Sequence, residues 1–320
     1  MVVRGSRDQA PAAQSGIRWH GERSRATRPF EATAGVSCLM ATDPPPANSP
    51  GHDELVTKVQ AWLNKQGYPL EFRSALALRN AGLDITMGSY FKSGSGQPRE
   101  VDILCDMSFP NDEERRVRKM RLLVECKYSK YPIVLPSFLA QHGGALNFMS
   151  IPRTASLRDA PIDLLQYEKS LLDTFIFSPA VPHAHGIVSA FRENPRNTDA
   201  AFNAVRKACS IAWDHVAELD ASPVSNKVEF AVFPVVILDA PMFLATLDTR
   251  TGDVAARPID IARVSWGAGS RDSIATIVSA AHVEKFAEWA VRSLRSIGQS
   301  VFFPKAHGVV ASAGSRPKTT

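Results

Sequence analysis

Apolar positions recur at helical spacing where the ordered part of the chain begins: Leu55, Val59 and the pair Trp62-Leu63, stopping at Gly67. A second helical stretch, 70–81, carries Phe72, Ala75, Leu76 and Leu78 and stops at Gly82. Glycine often ends helices because it accepts a positive φ. The period then changes. Residues 84–91, 100–107 and 121–128 read as strands, separated by a Ser/Gly turn at 93–97 and the acidic stretch 111–114. Short strands joined by such turns predict an antiparallel meander. From 129 to 182 prolines punctuate the chain, and only 162–175 reads as a helix. A short strand at 186–191 precedes a helix over 198–217, with Phe202, Val205, Ala208, Cys209, Ala212 and Trp213 on one face. An apolar strand, 228–238, follows. The chain closes with a hairpin-like pair (243–246 and 255–264), a strand at 274–279 and an amphipathic helix over 283–297.

This order predicts an α/β protein: a core of α-βββ-α-β with a central mixed sheet flanked by helices, an insert, and a C-terminal β-β-α appendix. The core falls at about 55–131 and 186–238, the insert at 132–185 and the appendix at 239–304, so 51–304 reads as one domain. Residues 1–50 are rich in Arg, Ala, Ser and Pro and lack an apolar period. They read as a disordered tail, and so do 305–320. Asp8, Glu22 and several prolines and glycines spoil the amphipathic helix of a transit peptide. Met40 is read as the initiator in preference to Met1.

Composition narrows the function classes. Of 320 residues, 44% are hydrophobic and 22% charged, too apolar for a disordered chain. The formal net charge of +5 suggests a nucleic-acid binder at first sight. Yet residues 51–304 hold 28 basic and 28 acidic side chains, so the whole excess lies in the tails. Net charge therefore carries little of the functional reading. No run approaches the ~20 apolar residues of a membrane span, and no membrane partner is expected. Cys38, Cys105, Cys126 and Cys209 are scattered without a C-x-x-C, which excludes a zinc knuckle and fits a reducing cytoplasm.

Two segments place charge where apolar residues would be expected. Asp102 interrupts Val101, Ile103 and Leu104, and Glu125 and Lys127 interrupt a strand otherwise made of Leu122, Leu123 and Val124. Residues two apart in a strand share a face, so Glu125 and Lys127 project together while Cys126 points away. Burying such groups is costly unless they pair or bind a metal. Two carboxylates and an ammonium suit phosphodiester hydrolysis with Mg²⁺ or Mn²⁺. The competing reading makes Asp102 a turn cap and Glu125/Lys127 an exposed salt bridge on an edge strand.

Asp102, a spacer of 22 residues and Glu125-Cys126-Lys127 together resemble the signature of the PD-(D/E)xK nucleases of restriction endonuclease-like fold. The stretch Gly67-Tyr68-Pro69-Leu70-Glu71-Phe72, followed by Ala81-Gly82-Leu83, resembles the first-helix motif of the Mrr-like and resolvase-like branch. The resemblance covers roughly 55–131, with 198–238 as the second half of the core. It departs at Val101, where the superfamily has proline. It implies Asp102 and Glu125 as metal ligands with the Cys126 carbonyl as a third, Lys127 as the catalytic lysine, and Glu71 as an accessory ligand or water-orienting group. It also implies DNA rather than RNA as substrate, with Tyr90, Lys92 and Lys130 as nucleic-acid contacts. Because the core is neutral, a homodimer or a partner protein is the expected source of further affinity. The rival class is a catalytically silent fold relative that binds DNA or protein.

Other features read as structural. The basic run 115–121 is taken as a solvated hairpin arm balanced by Asp112, Glu113 and Glu114, in preference to a phosphate contact. His183 and His185 lack a third ligand nearby. No G-x-S-x-G elbow and no P-loop occur.

Overall fold

The computed structural model describes residues 50–92, 97–109, 116–137, 150–158, 169–192, 199–223, 225–268 and 271–302. Helices α1 (Pro50–Leu63) and α2 (Tyr68–Asn80) lead into strands β1 (Asp84–Lys92), β2 (Pro98–Ser108) and β3 (Val117–Tyr128). Gly82, just past α2, takes φ +103°, the conformation that a helix-ending glycine supplies. Next come β4 (Ile133–Ser137), the short helix α3 (Ala155–Arg158), β5 (His183–Ala184) and β6 (Val188–Ser189). The long helix α4 (Ala200–Asp220) precedes β7 (Val228–Asp239), β8 (Met242–Leu247), β9 (Val254–Pro258), β10 (Ile261–Ala268), β11 (Arg271–Ser279) and α5 (Val283–Phe302).

Seven strands form one mixed sheet in the order β1-β2-β3-β7-β11-β10-β5, and β6-β4-β8-β9 form a second. The meander β1-β2-β3 is antiparallel, whereas β7 runs parallel to both β3 and β11. Apolar side chains cover both faces of the large sheet. On one, Leu70 and Leu78 of α2 and Phe286 and Leu294 of α5 meet Ile103, Leu122 and Phe233. On the other, Val205, Ala208 and Ile211 of α4 meet Leu123, Val232 and Val236. Cover on both faces explains why β7 is an almost unbroken apolar run. Pro234 is tolerated inside it for a local reason. Phe230 and Val232 bond Thr154 and Pro152 on the same edge, and β11 takes over only from Val235. The missing N–H therefore falls at the changeover between two partners.

The molecule is thus α/β, with a mixed sheet between helices, but the C-terminal part is more than an appendix. β10 and β11 extend the main sheet and α5 fills its core. The stretch 255–264 is two strands in different sheets: β9 completes the hairpin with β8, and β10 pairs with β11. Of the helix expected over 162–175, Lys169–Asp173 is a short 3₁₀ turn and 162–168 lies outside the described residues, as do 93–96 and 111–114. The short strand expected at 186–191 is confined to Val188–Ser189.

α5 approaches β2 closely at one point. A Cβ on Gly298 would overlap the ring of Phe109, just past the end of β2, which lies tilted against Phe302 with ring centres 5.3 Å apart. Gly298→Ala should therefore lower stability by about 1–3 kcal/mol through overpacking, even though alanine favours helix. Phe109→Ala in the same chain should remove the clash. Equal or higher unfolding midpoints for Gly298→Ala alone would contradict this packing.

Candidate active site

Strand β2 breaks its alternation at Asp102. Val101 packs into the cluster under α4, whereas Ile103, two residues on, packs into the cluster under α2 and α5. A regular strand would put both on one face. The β1–β2 ladder skips this position: Met87 pairs with Ile103 and Ser89 with Val101, and Gly88 between them has φ +62°. The β2–β3 ladder stops at the same point, at Ile103 opposite Val124. There the Cys126 N–H donates to Asp102 Oδ2 at 2.7 Å, in place of a main-chain acceptor. A kink thus places a carboxylate beside β3 where two strands separate.

β3 is interior, between β2 and β7, and Glu125 on it is fully buried. This overturns the edge-strand salt bridge. Cys126 packs toward α2, as the alternation predicts. Glu125 Oε2 accepts from Lys207 Nζ of α4 at 2.7 Å, and Oε1 has no hydrogen-bond partner. Burial first, then the Asp102 charge, push the Glu125 carboxyl up to about 7, opposed by Lys207 and Lys127. The native state therefore holds a proton that the unfolded chain releases nearer the ordinary value of 4.5. The penalty of ionising Glu125 in the fold is absent below that value and is fully felt as pH rises through about 7. A cation at Glu125 would compete with that proton and bind more weakly as pH falls through the same range.

Glu71 lies in the first turn of α2 and folds back over Gly67, where a Cβ would sit 3.1 Å from Glu71 Oε1. Its carboxyl is raised by burial and then by the Asp102 charge, and lowered by Lys127. Lys127 is half-buried, and its charge acts on both Glu71 and Glu125. The four residues singled out from the sequence therefore share one electrostatic neighbourhood at the split between β2 and β3. They stop short of a preformed cage. Among the described residues, no group of three or more His, Cys, Asp or Glu side chains is arranged to hold a metal ion.

The outer residues are less concentrated. Tyr90 and Lys92 are exposed in β1, and Tyr90 lies directly opposite Glu100, whose charge and hydrogen bond raise its hydroxyl pKa. Lys130 is exposed, with its ammonium 4.6 Å from the Tyr131 ring centre. The basic run is a different matter. Arg116 and Arg118 bond the two oxygens of buried Glu229 on β7, each at 2.7 Å, and Arg121 forms a fork on Asp106 at 2.6 and 2.7 Å. These are inter-strand ion pairs, so the solvated-arm reading is corrected for this part of the run. Asp112, Glu113 and Glu114 lie outside the described residues. His183 bonds Ser265 Oγ at 2.7 Å, an ordinary strand-to-strand contact.

Lys207 is the site residue that the sequence reading missed. α4 packs its small residues Ala204, Ala208 and Ala212 on the sheet, which brings its axis close. Lys207 stands at the edge of that apolar stripe, 30% exposed. The visible signal was a lysine flanking a buried helical face; the register of that helix over Glu125 is a long-range property. The chain matches no family model, no curated protein and no solved structure with which it was compared.

Proposed function

We propose that the chain is a metal-dependent phosphodiesterase of the PD-(D/E)xK type with the corresponding restriction endonuclease-like core, a nuclease acting on DNA rather than RNA. The observation that carries this reading is Glu125. Its carboxylate is fully buried, one oxygen has no hydrogen-bond partner, and Asp102 pushes against it from the neighbouring strand. A carboxylate in a dry position with a second, half-buried carboxylate repelling it is a poor structural device and a good receptor for a hard cation. The donor set fits Mg²⁺ or Mn²⁺: Asp102 and Glu125 would hold it, the Cys126 carbonyl would add a third oxygen, and water would complete the shell. When bound, the ion supplies Lewis acidity toward a phosphoryl oxygen and acidifies coordinated water.

The chain's own side chains do the rest. Lys127 shares a face with Glu125 and would orient the attacking water and offset the negative charge that grows on the phosphorus oxygens. Glu71 would orient that water from the α2 side. The Cys126 N–H fixes the Asp102 carboxylate, so that ligand is positioned before substrate arrives. Tyr90, Lys92 and Lys130 would meet the nucleic acid around the site.

One observation favours the rival reading, a silent DNA- or protein-binding module: Lys207 already neutralises Glu125 within the protein. The two are separated by incubating the full chain with supercoiled plasmid and with single-stranded circles in Mg²⁺, Mn²⁺ or EDTA. Cleavage with either metal and none in EDTA is expected. Stoichiometric binding without cleavage under every condition would move the assignment to the binding module.

A further inference from the structure

Every described side chain of α1 from Asp53 to Trp62 is exposed. Leu55, Val59 and Trp62 nevertheless fall at i, i+4 and i+7, the stripe of a helix that buries one face. α2 continues the stripe with Tyr68, Phe72 and Leu76, each exposed by 41–57%. Ring contacts join the two helices: Trp62 to Tyr68 at 6.2 Å and Tyr68 to Phe72 at 6.1 Å. A helix of 14 residues whose side chains from Asp53 to Trp62 are all exposed is marginal in water.

We propose that the occupant is a second copy of this chain, docked through the α1–α2 face about a two-fold axis. Area supports that choice. The six side chains expose on the order of 700 Å², more than the largest patch of a typical monomer and close to the ~800 Å² that each partner of a standard interface contributes. Charge supports it as well. Residues 53–84 hold Asp53, Glu54, Glu71 and Asp84 against Lys58, Lys65, Arg73 and Arg79, an even balance. A neutral face does not repel its own copy, as an isologous contact requires. It also lacks the basic excess by which phosphates are gathered, so the aromatic run is a weaker match to unpaired bases than to protein.

The test is the mass of the full chain in solution, without metal or substrate, which makes it independent of the nuclease reading. Light scattering on a size-exclusion column at about 100 µM should give twice 34.9 kDa, falling toward the single-chain mass on dilution. Trp62→Glu and Phe72→Glu, combined, should give 34.9 kDa with an unchanged circular dichroism spectrum. Val254→Glu, at a 71% exposed position on β9, should leave the dimer intact. A monomeric parent at that concentration overturns the proposal, including a monomer whose tryptophan fluorescence responds instead to oligo(dT). So does a Trp62→Glu/Phe72→Glu chain that stays dimeric.

Discussion

Replacing Asp102 or Lys127 by alanine should lower metal-dependent cleavage of DNA by roughly 10³-fold or more, the scale on which one charge-stabilising group at a reacting phosphate acts. The two losses arise differently. Asp102→Ala would remove a proposed ligand and also the acceptor of the Cys126 N–H, so β3 would lose part of its local order at the site. Asp102→Asn keeps an acceptor oxygen there and removes the charge alone; it should be nearly as inactive while retaining the parent's unfolding midpoint. Lys127→Ala should leave cation binding largely in place, because neither carboxylate is lost, and fall chiefly in kcat. Lys207 does not substitute for it, being committed to Glu125 Oε2. A Lys127→Ala protein that cuts at the parent's rate would remove Lys127 from the chemistry.

The largest effect on stability is expected at Arg263. This side chain is completely buried on β10, and its guanidinium donates to the carbonyls of Ile176, Ser178 and Val181. Those carbonyls belong to the segment running from the 3₁₀ turn into β5, so Arg263 ties the insert to the main sheet. Burial lowers its pKa to about 10, and it stays charged across the physiological range. Two effects compete on truncation: relief from burying a cation, and the loss of the guanidinium donors to three carbonyls beside a new cavity, of which the Ser178 carbonyl keeps the Val181 N–H. The second should win, because weakening buried hydrogen bonds costs about 1–3 kcal/mol and the cavity adds more. Arg263→Ala should therefore cost about 4 kcal/mol or more in urea unfolding. Arg263→Lys should cost less, since one ammonium can satisfy some but not all of a planar fork's acceptors. A change under about 1 kcal/mol for Arg263→Ala would show that the segment is held by other contacts.

Local periodicity made much of this protein legible. The spacing of Phe72, Ala75, Leu76 and Leu78 places α2, although only Ala75 and Leu78 of these are buried; alternation and turns place β1 to β3, and the apolar run 228–238 marks a strand covered on both faces. Asp102, Glu125 and Lys127 stood out because they break apolar patterns, and the fold brings them to one split between strands. What stayed hidden depends on which distant elements meet. Lys207 reaches Glu125 only through the packing of α4 on β3, and Glu229 meets Arg118 only through the parallel register of β7 with β3. The stretch 255–264 reads as one strand because its residues are mostly apolar, although Pro258, the last residue of β9, marks the point where the chain passes from one sheet to the other. Nothing local told that the last helix would fill the main core.

The claim on which the rest depends is that Asp102 and Glu125 share one divalent cation. Calorimetric titration of the full chain with Mn²⁺, without substrate, tests it. The parent should bind one ion, more weakly as pH is lowered below about 7, where Glu125 takes up its proton. Asp102→Asn and Glu125→Gln should each weaken binding by about 10-fold or more. Unchanged binding in both variants, or no binding by the parent, would contradict it.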